Sequence, residues 1–380
     1  METIYLDHAA TAPMDQRVVE AMTPVMMDVF GNPSSVHSFG RKARRYLDEA
    51  RRTMAKSIQA SEKEIVFTNG GTEADNLALI GVAQANKDKG NHIITTAQEH
   101  HAVLHTAEYL EQQGFDITYL PVDETGSVNI DDLKEALTDE TILVSVMYVN
   151  NETGMIQPVE AIGNLLKDHQ AYFHTDAVQA FGMLAIDVEK FGIDLLTVSS
   201  HKINGPKGNG FLYVSNGVNI EALQFGGEQE RKRRPGTENV PGIVGFQKAV
   251  ELMMTDREQR KQTYGDYKEQ FMKQLSENGV TYEVNGVLEH SIAPIANLSF
   301  PGANVELLLT NFDLDGIAAS SGSACTAGSI EPSHVLSAMY GDNDERTTNS
   351  IRFSFGAFNT HENVIEAASR VAKIVKRLTD

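Results

Sequence analysis

Five short stretches carry side chains whose types and spacing suit covalent chemistry on a small substrate. In Thr197-Val198-Ser199-Ser200-His201-Lys202-Ile203-Asn204-Gly205-Pro206, a lysine follows directly on an apolar run. An amine at the end of a strand, next to hydroxyl and imidazole groups, can form a Schiff base beside a bound phosphate. A solvated loop lysine is the plain alternative. In Asn69-Gly70-Gly71-Thr72-Glu73-Ala74-Asp75-Asn76, two glycines let backbone N–H groups approach an anion closely, and Thr72 adds a hydroxyl where a helix begins. A glycine turn followed by an N-cap threonine accounts for the same residues. His174-Thr175-Asp176-Ala177-Val178-Gln179 offers a carboxylate for a protonated ring nitrogen and an amide for a phenolic oxygen, or simply an aspartate N-cap.

Glu99-His100-His101-Ala102-Val103-Leu104-His105 places His101 and His105 at the i, i+4 spacing of a zinc pair. The pair lacks a clear third ligand, so no metal is expected. The chain has one cysteine, Cys325, set in Ser320-Ser321-Gly322-Ser323-Ala324-Cys325-Thr326-Ala327-Gly328-Ser329. Lone cysteines are usually buried and inert. These small, polar neighbours offer nothing bulky to bury the sulfur, so an accessible working thiol is expected.

The elements that must position these groups are legible as short β-branched runs alternating with helix-like stretches between about residues 60 and 215. The runs include Ile65–Thr68, Ile93–Thr95, Ile142–Val149, Ala171–His174, Leu195–Val198 and Phe211–Val214, and such alternation predicts a mostly parallel sheet flanked by helices. A long helix is expected over Pro241–Gln274. A second α/β set follows, with runs at Ala296–Phe300, Glu306–Asn311, Ile317–Ala319 and Ile351–Ser354, and a final helix over Glu362–Leu378. The expected division is a large domain over residues 15–255 and a smaller α/β domain from 1–14 and 256–380, which carries the Cys325 loop.

At 380 residues and 41% hydrophobic, the chain can bury a sizeable core. Its 32 Lys and Arg against 52 Asp and Glu give a net charge of -20, which opposes contact with nucleic-acid phosphates or anionic lipid. The only dense charge run, Arg231-Lys232-Arg233-Arg234, is local: a solvated loop or an anion contact. The longest apolar run, Ile142–Val149, is short of the ~20 residues of a membrane span. The start Met1-Glu2-Thr3-Ile4-Tyr5 lacks a secretory pattern. A cytoplasmic location is therefore expected, where a single cysteine stays reduced.

Taken in order along the chain, these motifs resemble the cysteine desulfurases of the class V aminotransferase superfamily, pyridoxal-phosphate enzymes of fold type I. The resemblance runs nearly end to end. It includes Tyr5-Leu6-Asp7-His8-Ala9-Ala10-Thr11, Gly31-Asn32-Pro33-Ser34-Ser35, Gly71-Thr72-Glu73, Asn150-Asn151-Glu152-Thr153-Gly154, Ser199 to Gly208, Arg234-Pro235-Gly236-Thr237-Glu238-Asn239, the Cys325 loop and Ser350-Ile351-Arg352-Phe353-Ser354. The long Ser/Gly loop is similar to that of the branch that hands persulfide directly to partner proteins.

The resemblance implies that Lys202 holds pyridoxal 5'-phosphate covalently and moves protons at the substrate Cα, and that His100 stacks on the ring and assists. It implies that Asp176 keeps the ring nitrogen protonated, that Gln179 and Asn151 contact the ring and its oxygen, and that Gly71, Thr72, Ser199 and His201 cradle the phosphate. Thr237 would reach the same phosphate from a second subunit, which implies a homodimer. Arg352, helped by Asn32, would clamp the substrate carboxylate. Cys325 would take sulfur from L-cysteine as a persulfide, releasing L-alanine, and pass it to an acceptor protein. Iron–sulfur scaffolds and tRNA-thiolating enzymes are the two acceptors considered, and the ending at Asp380 favours the second as an expectation. The alternatives are a selenocysteine lyase or aminotransferase on the same scaffold, or a non-catalytic protein that retains the fold. The Cys325 loop speaks against the first group and the intact set of Lys202, Asp176, His100 and Arg352 against the last. No G-x-G-x-x-G follows a strand to support a nicotinamide enzyme.

Overall fold

A computed structural model describes residues 3–321 and 332–379. In chain order its strands are β1 (Ile4–Tyr5), β2 (Ile65–Thr68), β3 (His92–Thr96), β4 (Asp116–Leu120), β5 (Thr141–Ser145), β6 (Tyr172–Asp176), β7 (Leu195–Ser199), β8 (Gly210–Val214), β9 (Glu283–Val284), β10 (Ile295–Ser299), β11 (Ile317–Ala318) and β12 (Ser350–Ser354). Seven form one sheet in the order β2-β8-β7-β6-β5-β3-β4. Pairing is parallel from β7 through β6, β5 and β3 to β4, and β8 runs antiparallel to both β2 and β7.

Strands β2, β3, β5, β7 and β8 are buried at every position. Helices cover both faces, which is why these strands read as continuous apolar runs and not as alternation. Because the neighbours are parallel, the segments after β3, β5, β6 and β7 all leave the same edge, where α/β sheets place their ligands.

The long helix Val240–Glu277 begins at Asn239, whose side chain accepts from Gly242 N, with Pro241 in the first turn. Its 38 residues span about 57 Å at 1.5 Å per residue. Phe246, Ala249, Val250 and Met253 pack into the core under the large sheet. Tyr264, Tyr267, Phe271 and Leu275 pack into a second core with Phe300, Phe312 and Phe353. Burying one such aromatic or leucine side chain contributes roughly 1.5–3 kcal/mol, so the helix ties two cores together strongly. The second core is roofed by the antiparallel sheet β12-β10-β9, the parallel pair β1-β11 and the helices Val305–Leu314 and His361–Thr379. Single bridges from Asp7 to Ser354 and from Ser320 to Arg352 stitch these small sheets together and carry Arg352 to the edge of the large one.

Two sequence expectations need local correction. The run Ile142–Val149 is a strand only to Ser145. Beyond it, Val146 N and Tyr148 N still donate to His174 O and Asp176 O, at 3.1 and 2.9 Å, while the chain turns to line a cavity. Thr72 is not an N-cap: the cap of the helix Gly71–Ala85 is two residues earlier, at Gly70, with φ 146 and no side-chain cap. Among the described residues no helix is long and apolar enough to cross a membrane.

Candidate active site

A single turn of 3-10 helix, Ser200–Ile203, follows β7 and turns Lys202 toward the N-terminal segment. Its Nζ donates to Ala9 O at 2.5 Å and Ala10 O at 2.9 Å. Among the described residues no carboxylate pairs with the amine directly. Burial, reinforced by the charge of Arg352, lowers its pKa from 10.5 to about 8.

Asp176 ends β6, is buried, and accepts from Val178 N at 2.8 Å. Burial raises its pKa to about 6, against the pull of that backbone bond and of Lys202. Behind it His174 is fully enclosed. Its Nδ1 lies 2.8 Å from Ser145 Oγ, and its Nε2 lies 3.1 Å from Thr197 Oγ1 and 3.6 Å from Asp75 Oδ1. Burial drives the imidazole down to about 3, so it stays neutral. The same burial, together with the charge of Asp176, pushes Asp75 well above the usual carboxylate range.

His100 is the N-cap of the helix His101–Gln112, accepting from Ala102 N at its Nδ1 at 3.1 Å. That bond assigns the proton of the neutral ring to Nε2. Burial first, then the positive charge of Lys202, lowers its pKa to about 4.

The turn after β2 has the geometry to take an anion. With Gly70 as an uncapped start, the first N–H groups of the helix Gly71–Ala85 have no side chain closing over them. A Cβ on Gly71 would sit 3.0 Å from Val178 Cγ2, so this turn admits no larger residue without displacing the wall of the cavity. His201 joins the turn from the other side, its Nδ1 3.0 Å from Thr11 Oγ1.

Arg352 projects from β12 and is almost fully buried. Nη2 donates to Asp7 Oδ1 at 2.8 Å and Nη1 to Asn151 O at 2.9 Å, while Nε has no partner among the described residues. Gln179 Nε2 donates to Ala9 O at 3.0 Å.

Gly71, Thr72, His100, Asn151, Asp176, Gln179, Ser199, His201, Lys202 and Arg352 line one cavity of about 310 Å³. Thus ten of the residues singled out from sequence converge. Cys325 lies outside the described residues. Thr237 is exposed and lines no part of its own chain's cavity. Asn32 lines no part of its own chain's cavity: it is exposed, with Ser34 N donating to Asn32 Oδ1 and Ser35 N to Asn32 O. The rings of His101 and His105 are stacked at 4.9 Å. Among the described residues no set of three His, Cys, Asp or Glu could hold a metal.

Sequence reasoning missed Asp7, Thr11 and Asp75. Asp7 and Thr11 lie in a motif that was singled out, but no local spacing reveals that it returns to hold Lys202, His201 and Arg352. Asp75 lay in the glycine-turn stretch, where its burial beside Asp176 has no sequence signal.

The family model for aminotransferase class-V matches residues 4–366. A candidate cysteine desulfurase, IscS 1, of Bacillus subtilis strain 168 is 62% identical over 379 residues, covering 100% of both chains. Among solved structures, a NifS-like protein superposes with a TM-score of 0.92 at 35% identity, covering 99% of this chain and all of its own. A structure described as SspA in complex with cysteine gives a TM-score of 0.83 at 36% identity, over 94% of this chain and all of its own. The chain belongs to the class-V aminotransferases, which are pyridoxal-phosphate enzymes of fold type I. Within that family it belongs to the cysteine desulfurases.

Proposed function

We propose that the chain is a pyridoxal-phosphate-dependent cysteine desulfurase that converts L-cysteine to L-alanine and carries the released sulfur as a persulfide on Cys325. The observation that carries the reading is the convergence of one amine, two imidazoles, two buried carboxylates and one guanidinium on a 310 Å³ cavity beside an uncapped helix start. That donor set fits pyridoxal phosphate. The helix start at Gly71 and Thr72, with Ser199 and His201, suits its phosphate, and Asp176 suits a protonated ring nitrogen. Lys202, with its lowered pKa, is the amine that would hold it covalently. When bound, the cofactor supplies an electron sink for the pair left at the substrate Cα.

The protein's own groups then have separable tasks. Arg352 receives the substrate carboxylate as a planar fork, preset by Asp7 and the Asn151 carbonyl. Lys202, neutral above pH of about 8, takes and returns the proton at Cα. His100, neutral and with its proton on Nε2, would stack on the ring and support that transfer. Gln179 and Asn151 would contact the ring and its oxygen. The Cys325 thiolate attacks the substrate sulfur: an S–S bond forms, the Cβ–S bond breaks, and the electron pair stays with the carbon skeleton, which takes up a proton and leaves as alanine. Cysteine plus thiol gives alanine plus persulfide, with no external oxidant.

The second subunit enters through Thr237. It is supported by the exposed apolar residues Met26, Met27, Phe30, Val36 and Phe39 at one end of the chain's first two helices, a face suited to a second copy of the chain. The division into domains 15–255 and 1–14 with 256–380 is supported by the two cores along the long helix. The persulfide passes to an acceptor protein in the cytoplasm, either an iron–sulfur scaffold or a tRNA-thiolating enzyme; the charge of -20 disfavours direct transfer to RNA.

The test is a Cys325→Ser variant. It should keep the cofactor and still bind cysteine spectroscopically, yet release alanine at least about 100-fold more slowly. Turnover at a near wild-type rate would replace this reading with a lyase. Loading Cys325 from radioactive cysteine and offering each acceptor in turn identifies where the sulfur goes.

A further inference from the structure

The loop between β8 and the long helix contains three consecutive non-glycine residues in the left-handed region: Glu230 at φ 46, Arg231 at φ 57 and Lys232 at φ 68. Such a run is unfavourable for L-residues and persists only where surrounding contacts overdetermine it. Here the contact is a buried fork. Arg51 Nη1 and Nη2 donate to the two carboxylate oxygens of Glu230 at 2.7 and 2.6 Å, with side chains only 6% and 2% exposed. Glu230 also accepts from Phe67 N at 3.0 Å. Arg51 donates to Ile65 O at 2.7 Å and lies over the Phe67 ring at 4.6 Å. Further along, Arg234 pairs with Glu73 at 2.7 Å, and Gly236 N donates to Gln229 Oε1 at 3.1 Å.

The strained run is thus bolted to β2, the strand that feeds the glycine turn, and the next residue beyond these anchors is the exposed Thr237. No residue of the fork lines the 310 Å³ cavity, so its contribution to the chain's own site is indirect.

We infer that the buried Arg51–Glu230 pair is a positioning device for the partner subunit's active site: it holds the left-handed run so that Thr237 projects onto the phosphate bound by the other chain. This rests on the proposal that Thr237 crosses the subunit boundary. The pair is not catalytic, because neither residue touches the cavity.

The experiment uses mixed dimers in which only one chain carries Lys202, so that only that site fixes cofactor on borohydride treatment. The readout is the pyridoxal-phosphate concentration that half-saturates fixation. With Lys202→Ala and Glu230→Gln on the same chain and a wild-type partner, the working site receives Thr237 from the chain with the weakened fork. It should need about tenfold more cofactor, the effect of losing roughly one good hydrogen bond. With Lys202→Ala on one chain and Glu230→Gln on the other, the working site receives Thr237 from an intact chain and should stay within about twofold of wild type.

Adding Lys232→Gly to the first arrangement should recover much of the loss, because glycine adopts the left-handed conformation without penalty and Lys232 itself makes only an exposed pair with Glu228. Equal effects in both arrangements, or no recovery with Lys232→Gly, overturn the inference. Thr237→Ala run through the same two arrangements separates the levels. If it is one-sided while Glu230→Gln is not, the brace alone is wrong; if it is not one-sided either, the shared site itself is wrong.

Discussion

The floor and the rim of the cavity are built on opposite terms. At the floor, Asp176 and Arg352 are buried, Lys202 is half-buried, and these three and His100 are held by their own chain, with desolvation shifting the pKa values of Lys202, Asp176 and His100. At the rim, Thr237 is exposed and the wider opening of about 720 Å³ beside the glycine turn is lined by Arg233, Arg234 and Lys207. The contrast teaches that one chain suffices to tune the reacting groups and to line the phosphate end of the cavity, while the contact proposed for Thr237 faces outward, toward a second chain. Chemistry and retention should therefore be separable by mutation.

The largest effect is expected at the floor. Lys202→Ala should abolish borohydride-fixed cofactor and cut alanine formation by about 10³–10⁴-fold, since both covalent holding and proton transfer rest on this amine. Fixation at another lysine, found by peptide mapping, would break the assignment. Asp176→Asn keeps the shape but cannot ionise, so kcat should fall by about 10²-fold with cofactor still bound. An unchanged kcat would move the ring nitrogen elsewhere.

At the rim the signature differs. Thr237→Ala should weaken cofactor retention about tenfold and leave kcat at saturating cofactor nearly unchanged, as loss of one phosphate hydrogen bond predicts. A fall in kcat without weaker retention would erase the distinction between the two regions.

The smallest effect sharpens the floor alone. The folded-state pKa of Lys202 is lowered to about 8, so the unfolded chain holds the extra proton between about 8 and 10.5, and the neutral amine is present in the folded chain above pH 8. Cofactor uptake by stripped protein should rise about tenfold between pH 7 and pH 9, following the neutral fraction. A midpoint near 10.5 in stopped-flow uptake would mean that burial does not tune this amine.

Much of the floor was legible before any coordinates. Parallel strands covered on both faces must be apolar throughout, so Leu195–Val198 and Ala171–His174 stand out as runs, and the first polar residues after them mark the edge where ligands bind. Lys202, Asp176 and the glycine turn each sit at such an edge. The long helix was visible too, because Val244, Phe246, Ala249, Val250 and Met253 recur near helical spacing. The rim was less legible: Asn32 shares a motif with the family pattern, yet its Oδ1 accepts from Ser34 N in its own loop and it lines no part of the 310 Å³ cavity.

Composition and the alternation of apolar runs with helix-like stretches thus determined the fold class, because these depend on local periodicity and residue type, while the cofactor chemistry and the floor residues followed from the resemblance that the ordered motifs carry. Which groups hold those residues in place was decided only by tertiary structure. Asp7 meets Arg352 across 345 positions and Arg51 meets Glu230 across 179, and no local pattern encodes either pair. The perturbed pKa values belong to the same level, since the desolvation that lowers Lys202 and raises Asp176 is a property of the packed interior and not of any stretch of chain.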